Sequence, residues 1–581
     1  MTKWLLALIL AVGGTQAVGG TPAAEGTPAV GGTQAAEGTQ AAEGTPAHGS
    51  DPLKNMTLAE KVGQMIVSYV YGDSATAPSA ADAAANQAMF GADVSTAAQA
   101  VAKYHLGGVI YFTWSHNLGN PTQIAALSNG LQRAAMADTG IPLQISTDQE
   151  GGVVNRIGAP LAVSPGNMAL GATFDPRTAE RAARVSGEEL KALGINVVDA
   201  PVVDVNTNPL NSADGVRAFS DRTHHVTAFT TKAIKGYESA HIGTQAKHFP
   251  GLGDTTVNTD NGVAVTDESR QEILKTHIPP FKAAIQAGAE SIMAAHIIAP
   301  ALDPSGKPAS LSEPIITGLL RHQLHFNGVV ITDALEAAAL EDYTDQQIVL
   351  DAVNAGVDQL LMPRNVPLAI QTLLDAVATG AISERRIDQS VRRILKTKTY
   401  DPYVPENPAV GSSAHQAVMA DAAARSITVL RDAALPLKDG QSVLVTGWGV
   451  STTANLATAL GATRFYTGSP SDAVIAEAVA AAAEHDVTVV TTYNAWSDPT
   501  QQRLVASLLA TGKPIVVAAV GGPYDLAYFP TAATYVAAYD YQPVSITALA
   551  AVLQGKARAT GRLPVTIEGL YPYGSGLSER R

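Results

Sequence analysis

Apolar runs of strand length recur between residues 51 and 400, separated by stretches with helical spacing of apolar residues. No other feature constrains the fold of this chain as much. The runs are GGVIYF (107–112), PLQISTD (142–148), NVVDAPVVDV (196–205), TQAKHFP (244–250), ESIMAAH (290–296), GVVITDA (328–334) and DQLLMP (358–363). PRTAERAARVSGEELKAL (176–193) and SRQEILKTHIPPFKAAIQAG (269–288) lie between them and carry the helical period. Such alternation implies parallel strands joined by helical crossovers. Seven or eight units in a segment of this length predict a (β/α)8 TIM-type barrel rather than an open sheet.

Polar residues gather at the C-terminal ends of these strands: Asp148, Asp204, Lys247 with His248, His296 and Asp333. A barrel carries its chemistry at that end, on the loops that follow the strands. One polar residue after a strand is ordinarily a turn or a helix cap. Five successive strands ending this way mark an active site. The stretch AKHFPGLGDTTVNTDNG (246–262) is too rich in Gly and Pro for helix or strand, and it lies in this position.

A second α/β unit spans residues 414–581. The helix-like AHQAVMADAAARSITVL opens it, and strands are expected near 442–447, 487–492, 514–520 and 534–540. It reads as a smaller α/β sandwich. The join over 401–413, within KTKTYDPYVPENPAVGSS, is rich in Pro and polar residues and reads as a linker. At the other end, MTKWLLALILAV carries one early lysine and an apolar run too short to span a bilayer. It reads as the core of a secretory signal over 1–17, with no membrane-spanning segment left in the mature chain. Residues 18–50 follow in G-T-[PQ]-A-[AV]-[EG] units, with Thr recurring every six residues from Thr15 to Thr45. Nothing in the unit builds a core, so the segment reads as a tether, and the protein as secreted or held at a cell surface.

Composition narrows the chemistry. A formal net charge of −14 opposes non-specific binding of nucleic acid or anionic lipid. The absence of cysteine removes disulfides, thiolate metal sites and cysteine nucleophiles. GLGDTT and GWGVST lack the Gly-Lys-Ser/Thr of a phosphate loop. There is no G-x-S-x-G elbow, and no H-E-x-x-H or EF-hand pattern calls for a metal. What remains is a set of carboxylates, arginines, a lysine and histidines. Such a set suits hydroxyl-rich substrates and glycoside chemistry without a cofactor, with a carbohydrate as the partner and a monomer as the expected state.

The longer motifs STDQEGGVVNRI (146–157), APVVDVNTNPLNSADGVRAFS (200–220), AKHFPGLGDTTVNTD (246–260) and GVVITDALE (328–336) resemble glycoside hydrolase family 3, in its NagZ-like β-N-acetylglucosaminidase branch. AGAESIMAAHIIAPALDPSGKPASLS and AGVDQLLMP follow the same template in order, and the resemblance is weaker over 414–570. It implies a retaining, two-step mechanism in which Asp333 is the nucleophile. A bland alternative makes Asp333 the N-cap of a helix over DALEAAAL. Substrate positioning would fall to Asp148, Arg156, Arg217, Lys247 and His248, although a structural salt bridge is the alternative for each arginine.

One loop departs from the template. The branch continues past K-H-F-P-G to D-x-H, whose histidine is the general acid/base, whereas this chain reads Asn258-Thr259-Asp260. Leu252 likewise stands where the template has histidine. A carboxyl can do the histidine's work if burial or a neighbouring carboxylate raises its pKa. Asp260 is the candidate, held by a hydrogen bond from Asn258. Asp254, His248 in a changed role, an acid from elsewhere or a weakened enzyme are the alternatives, and Asn-Gly turn chemistry alone also accounts for NTDNG. The activity implied is release of terminal β-linked N-acetylglucosamine from muropeptides, chitin oligomers or related glycans. Hydrolysis of another β-glycoside, such as a glucoside, and catalytically silent sugar binding are its rivals.

Overall fold

The computed structural model describes residues 52–577, so the signal and tether readings lie outside the described residues. Eight parallel strands form the first sheet: β1 (Ile66–Ser68), β2 (Gly108–Ile110), β3 (Gln144–Thr147), β4 (Val197–Val198), β5 (Gly243–Phe249), β6 (Ser291–Ala294), β7 (Val329–Thr332) and β8 (Leu360–Leu361). They run in the order β8-β1-β2-β3-β4-β5-β6-β7, and a parallel bridge from Ile331 to Gln359 brings the two ends together. The sheet is therefore a nearly closed barrel. Its helices start where short polar side chains cap them: Thr57, Thr96, Ser269 and Thr344 each form a capping box with the Glu or Gln three residues on.

Three local expectations are corrected. NVVDAPVVDV reads as one strand, but only Val197–Val198 pairs regularly, with Val202 making an isolated bridge to Lys247. Pro201 interrupts the run and has no N–H to offer the ladder. The stretch 269–288 forms two helices, Arg270–Thr276 and Ile278–Ala287, because Pro279 and Pro280 belong to a first turn and not to a helix interior. DALEAAAL forms no α-helix. Only the 3-10 turn Ala338–Leu340 occurs there, so Asp333 caps nothing. The periodicity also leaves out β1, which is three residues long and is separated from the helix Leu58–Gln64 only by Met65.

The bottom of the barrel is held by one buried carboxylate. Asp358 takes the Val330 N–H (3.0 Å), the Ser390 hydroxyl (2.7 Å) and Arg393 (2.9 Å), and pairs with Arg321. Arg386 Nη1 lies 3.9 Å away. Asp358→Ala would leave three guanidinium groups facing one another without their counter-ion. It is expected to cost about 3–5 kcal/mol, read as a lower urea midpoint.

The second sheet contains β9 (Thr428–Arg431), β10 (Val443–Gly447), β11 (Thr463–Tyr466), β12 (Val487–Thr492), β13 (Ile515–Ala519) and β14 (Thr534–Ala537). The order is β9-β14-β13-β12-β10-β11, with only β9 antiparallel. β9 follows the helix Ser413–Ser426 within what reads as a single helical stretch, and β11 is an extra edge strand. Apolar clusters cover both faces of this sheet. One of them takes in Met168, Ala169 and Ala172 from the barrel domain, and Arg562 donates its backbone N–H to the Ala172 carbonyl (2.9 Å). The two domains thus share a core. Among the described residues no helix is long and apolar enough to cross a membrane.

Candidate active site

A cavity of about 490 Å³ opens at the C-terminal end of the barrel strands. Asp148, Arg156, Arg217, Lys247, His248, Asp260 and Asp333 all line it, although they are spread over 186 positions of sequence. Asp148 leaves the end of β3, where the chain turns into a ribbon of Gln149–Gly151 against Val154–Asn155. Gly151 and Gly152 make the turn with φ of +85° and +58°, and a Cβ on Gly152 would lie 3.0 Å from the Gly166 Cα. The Gln149 side-chain oxygen accepts the backbone N–H of Arg156 (3.0 Å), which fixes where that arginine leaves the ribbon.

Lys247, from β5, is buried between two carboxylates: Asp148 Oδ1 at 2.7 Å and Glu150 Oε1 at 2.7 Å. Glu150 also takes Arg217 in a two-pronged pair, both bonds 2.8 Å. Burial pushes the Glu150 carboxyl up, but Arg217 and Lys247 outweigh it and hold it well below the usual carboxylate range. Asp148 is lowered against the same burial by Lys247 and Arg156. Arg156 reaches Asp148 Oδ2 at 3.4 Å and stays partly exposed. Burial and then the Asp148 charge push Asp199 up to about 8.

Asp204 organises the K-H-F-P-G loop. Oδ1 accepts the Leu252 N–H (2.8 Å), while Oδ2 accepts the His248 N–H (3.1 Å) and faces His248 Nδ1 (2.7 Å). Burial lowers the His248 pKa, yet Asp204 more than reverses this and raises it above the ordinary value. Arg217 Nη2, 3.2 Å from Nε2, opposes a second proton on the ring.

Asp333 stands half-buried at the end of β7. Its backbone N–H goes to Ala294, and Oδ1 accepts the Ala334 N–H at 2.8 Å. His296 is buried below, bonded through Nε2 to the Ala334 carbonyl (3.0 Å) and through Nδ1 to Ser310 (2.8 Å). Asp260 reaches the same cavity from the loop after β5. That loop is tied down where Ala339 N–H meets the Thr259 carbonyl (3.1 Å). Asp260 is exposed at the rim, yet the surrounding protein raises its pKa, and the Asp333 charge raises it further.

The sequence matches the description Glycosyl hydrolase family 3 N terminal domain over residues 57–397. The chain belongs to glycosyl hydrolase family 3. Residues 426–571 match the family's C-terminal domain. β-Hexosaminidase A of Pseudoalteromonas piscicida is 37% identical over 376 residues, which span 59% of this chain and 62% of that relative. The β-N-acetylglucosaminidase/β-glucosidase of Cellulomonas fimi is 29% identical over 79% of this chain and 88% of its own length. A family 3 β-N-acetylglucosaminidase structure from Paenibacillus sp. str. FPU-7 superposes with a TM-score of 0.81 at 33% identity. It covers 88% of this chain and 99% of that one.

In this family 3 hydrolase, two expectations about the acid loop change. Asn258 does not hold the Asp260 carboxyl. Its side-chain oxygen accepts the Asp260 backbone N–H (2.9 Å) and shapes the turn. Asp254 is outside the cavity wall, where it accepts a hydrogen bond from Thr266 (3.0 Å). Among the described residues, Asp204, Asp214 and His248 bring ligand atoms within 4.8 Å of one another. Arg217 Nη1, 3.8 Å from Asp214, places a fixed positive charge against any cation there. Burial first, and Asp204 second, push Asp214 up to about 7.

Several wall residues escape sequence reasoning. Glu150 stands inside TDQEGG, and Asp214 inside SADGVRAFS, but nothing in those strings says which acid meets which base. Tyr493, Asn494 and Tyr541 come from the second domain, after β12 and β14. Gln542 anchors that edge by donating to the Gly152 carbonyl (2.9 Å). Glu150 is a positioning residue for both cations. Glu150→Gln is expected to lower kcat/KM by roughly 30- to 1,000-fold, about 2–4 kcal/mol, in steady-state assays. An unchanged value would show that Lys247 and Arg217 keep their places without it.

Proposed function

We infer that the protein is a retaining exo-glycosidase that releases terminal β-linked N-acetylglucosamine, with Asp333 as nucleophile and Asp260 as acid/base. The observation that carries this reading is the pairing of the two carboxyls in one cavity, where Asp333 helps to raise the pKa of Asp260. The mechanism needs one carboxyl charged to attack and the other holding a proton to give, and the raised pKa of Asp260 favours it for the second part. The Asp333 carboxylate bonds to the anomeric carbon as the glycosidic C–O bond breaks, and Asp260 protonates the departing oxygen. Water then gives a proton to Asp260 and its oxygen to the same carbon, which frees Asp333. Asp148 and Lys247 meet the hydroxyls of the terminal sugar, with Arg156, Arg217 and His248 completing the grip.

The hexosaminidase names of the relatives support the amino sugar, and muropeptides or chitin oligomers fit as natural substrates. Export behind the N-terminal apolar run belongs to the same reading. The double name of the Cellulomonas relative favours a second one, hydrolysis of β-glucosides. Aryl β-N-acetylglucosaminide and aryl β-glucoside, assayed side by side, separate them. A kcat/KM preference of at least about 10-fold for the amino sugar is expected. The reverse preference would transfer the assignment to glucosides, and no turnover of either, with amino sugar still bound, would make the protein a silent binder.

A further inference from the structure

The cavity has a second wall of different chemistry. The strands from β3 round to β7 supply the buried charged groups, whereas the segment after β2 supplies the rings of Phe112 and Trp114. Trp114 follows β2 and lines the cavity, yet it is 49% exposed. Its indole is fixed from behind. Phe112 stacks on it at 4.9 Å and 20°, and Tyr69 meets it edge-on at 4.8 Å. Tyr69 in turn donates its hydroxyl to Glu336 (3.0 Å), three residues beyond Asp333. The ring is therefore tied to the nucleophile's own segment.

The second domain continues this rim with Tyr493, which stacks on Trp448 at 4.4 Å and 18°. Of the 4 tryptophans in the chain, Trp114 lines this cavity and Trp448 backs Tyr493, which also lines it. A half-exposed indole leaves apolar surface in water, so a rigid one at a cavity mouth calls for a reason.

Depth supplies it. Lys247, Glu150 and His248 line the cavity from buried positions, while Trp114 lines it half-exposed, at its mouth. In a blind pocket that admits a chain end, the terminal sugar fills the bottom and the next ring meets the mouth. The C–H face of a pyranose is apolar and slightly positive, and it complements the negative face of an indole.

We propose that Trp114, backed by Phe112 and Tyr69, is the platform on which the leaving-group sugar ring stacks. The natural substrate is then a β-linked di- or oligosaccharide and not a glycoside of a small alcohol. This rests on the exo-glycosidase reading above.

The test compares two substrates with the same amino sugar at the reacting carbon: its β-fluoride, whose leaving group is one atom, and the β-1,4-linked disaccharide. In Trp114→Ala, the ratio of kcat/KM for disaccharide over fluoride is expected to fall about 10- to 30-fold relative to the unaltered enzyme. Trp114→Phe should recover part of it. Activity on the fluoride also reports that the variant has folded. An unchanged ratio would overturn the platform, whether or not both rates had dropped together. An unaltered enzyme that cleaves the fluoride but not the disaccharide would overturn the platform and leave the glycosidase reading standing. Failure to cleave either would remove both.

Discussion

Asp333→Ala is expected to lose at least about 10⁴-fold in kcat/KM on every glycoside, including those with good leaving groups. The loss should not depend on the leaving group, because the missing bond is to the anomeric carbon itself. Azide supplies the decisive control. With the side chain gone, a small anion can enter from the nucleophile's side and displace the leaving group in one step. Turnover should return in part, and the product should be the glycosyl azide of inverted, α configuration. Full activity without azide would mean that Asp333 attacks nothing. The backbone gives no reason for collateral damage, since the carboxylate accepts one bond, from Ala334, and starts no helix.

Asp260→Ala should separate substrates that the first substitution treats alike. A sugar or alkyl leaving group needs its oxygen protonated as it departs, so kcat/KM should drop roughly 10²- to 10⁴-fold. An activated aryl leaving group departs without help, and its first step should lose far less. Azide should again speed turnover, but now by attacking the glycosyl-enzyme from the side that water uses, so the azide formed should keep the β configuration. Opposite anomers from the two variants would place the two carboxyls on opposite faces of the sugar.

The pH profile gives an independent reading. The Asp260 pKa is raised by partial desolvation from the surrounding protein and then by Asp333, so activity should fall as pH rises through that raised value. Asp260→Asn should abolish this alkaline limb on aryl substrates. A limb that persists would point to another group in the wall.

The barrel was legible because its cause is local. A strand buried on both faces must be an apolar run, and a crossover helix must show a 3.6-residue period, so seven of the eight strands announce themselves. β1 does not, because it is only three residues long and follows a helix with one residue between them. The strand-end polar residues were equally legible, since a charged group straight after a buried run has few places to be except the mouth. The pairings were not. Glu150 meets Lys247 and Arg217 across 97 and 67 positions, and periodicity carries no information over such separations.

The acid loop shows the same division in one segment. The departure from D-x-H to Asn258-Thr259-Asp260 is plain in the letters, and it identifies a carboxyl as the candidate. Whether that carboxyl can hold a proton depends on enclosure and on the distance to Asp333, 73 positions away, which only the folded chain defines. Composition, periodicity and motif order thus determined the barrel, the family and the residues at its mouth, because each follows from short-range patterning. The ion-pair partners, the raised pKa of Asp260 and the aromatic rim shared with the second domain were decided by tertiary structure. Desolvation and Coulomb energies depend on where distant segments meet in space.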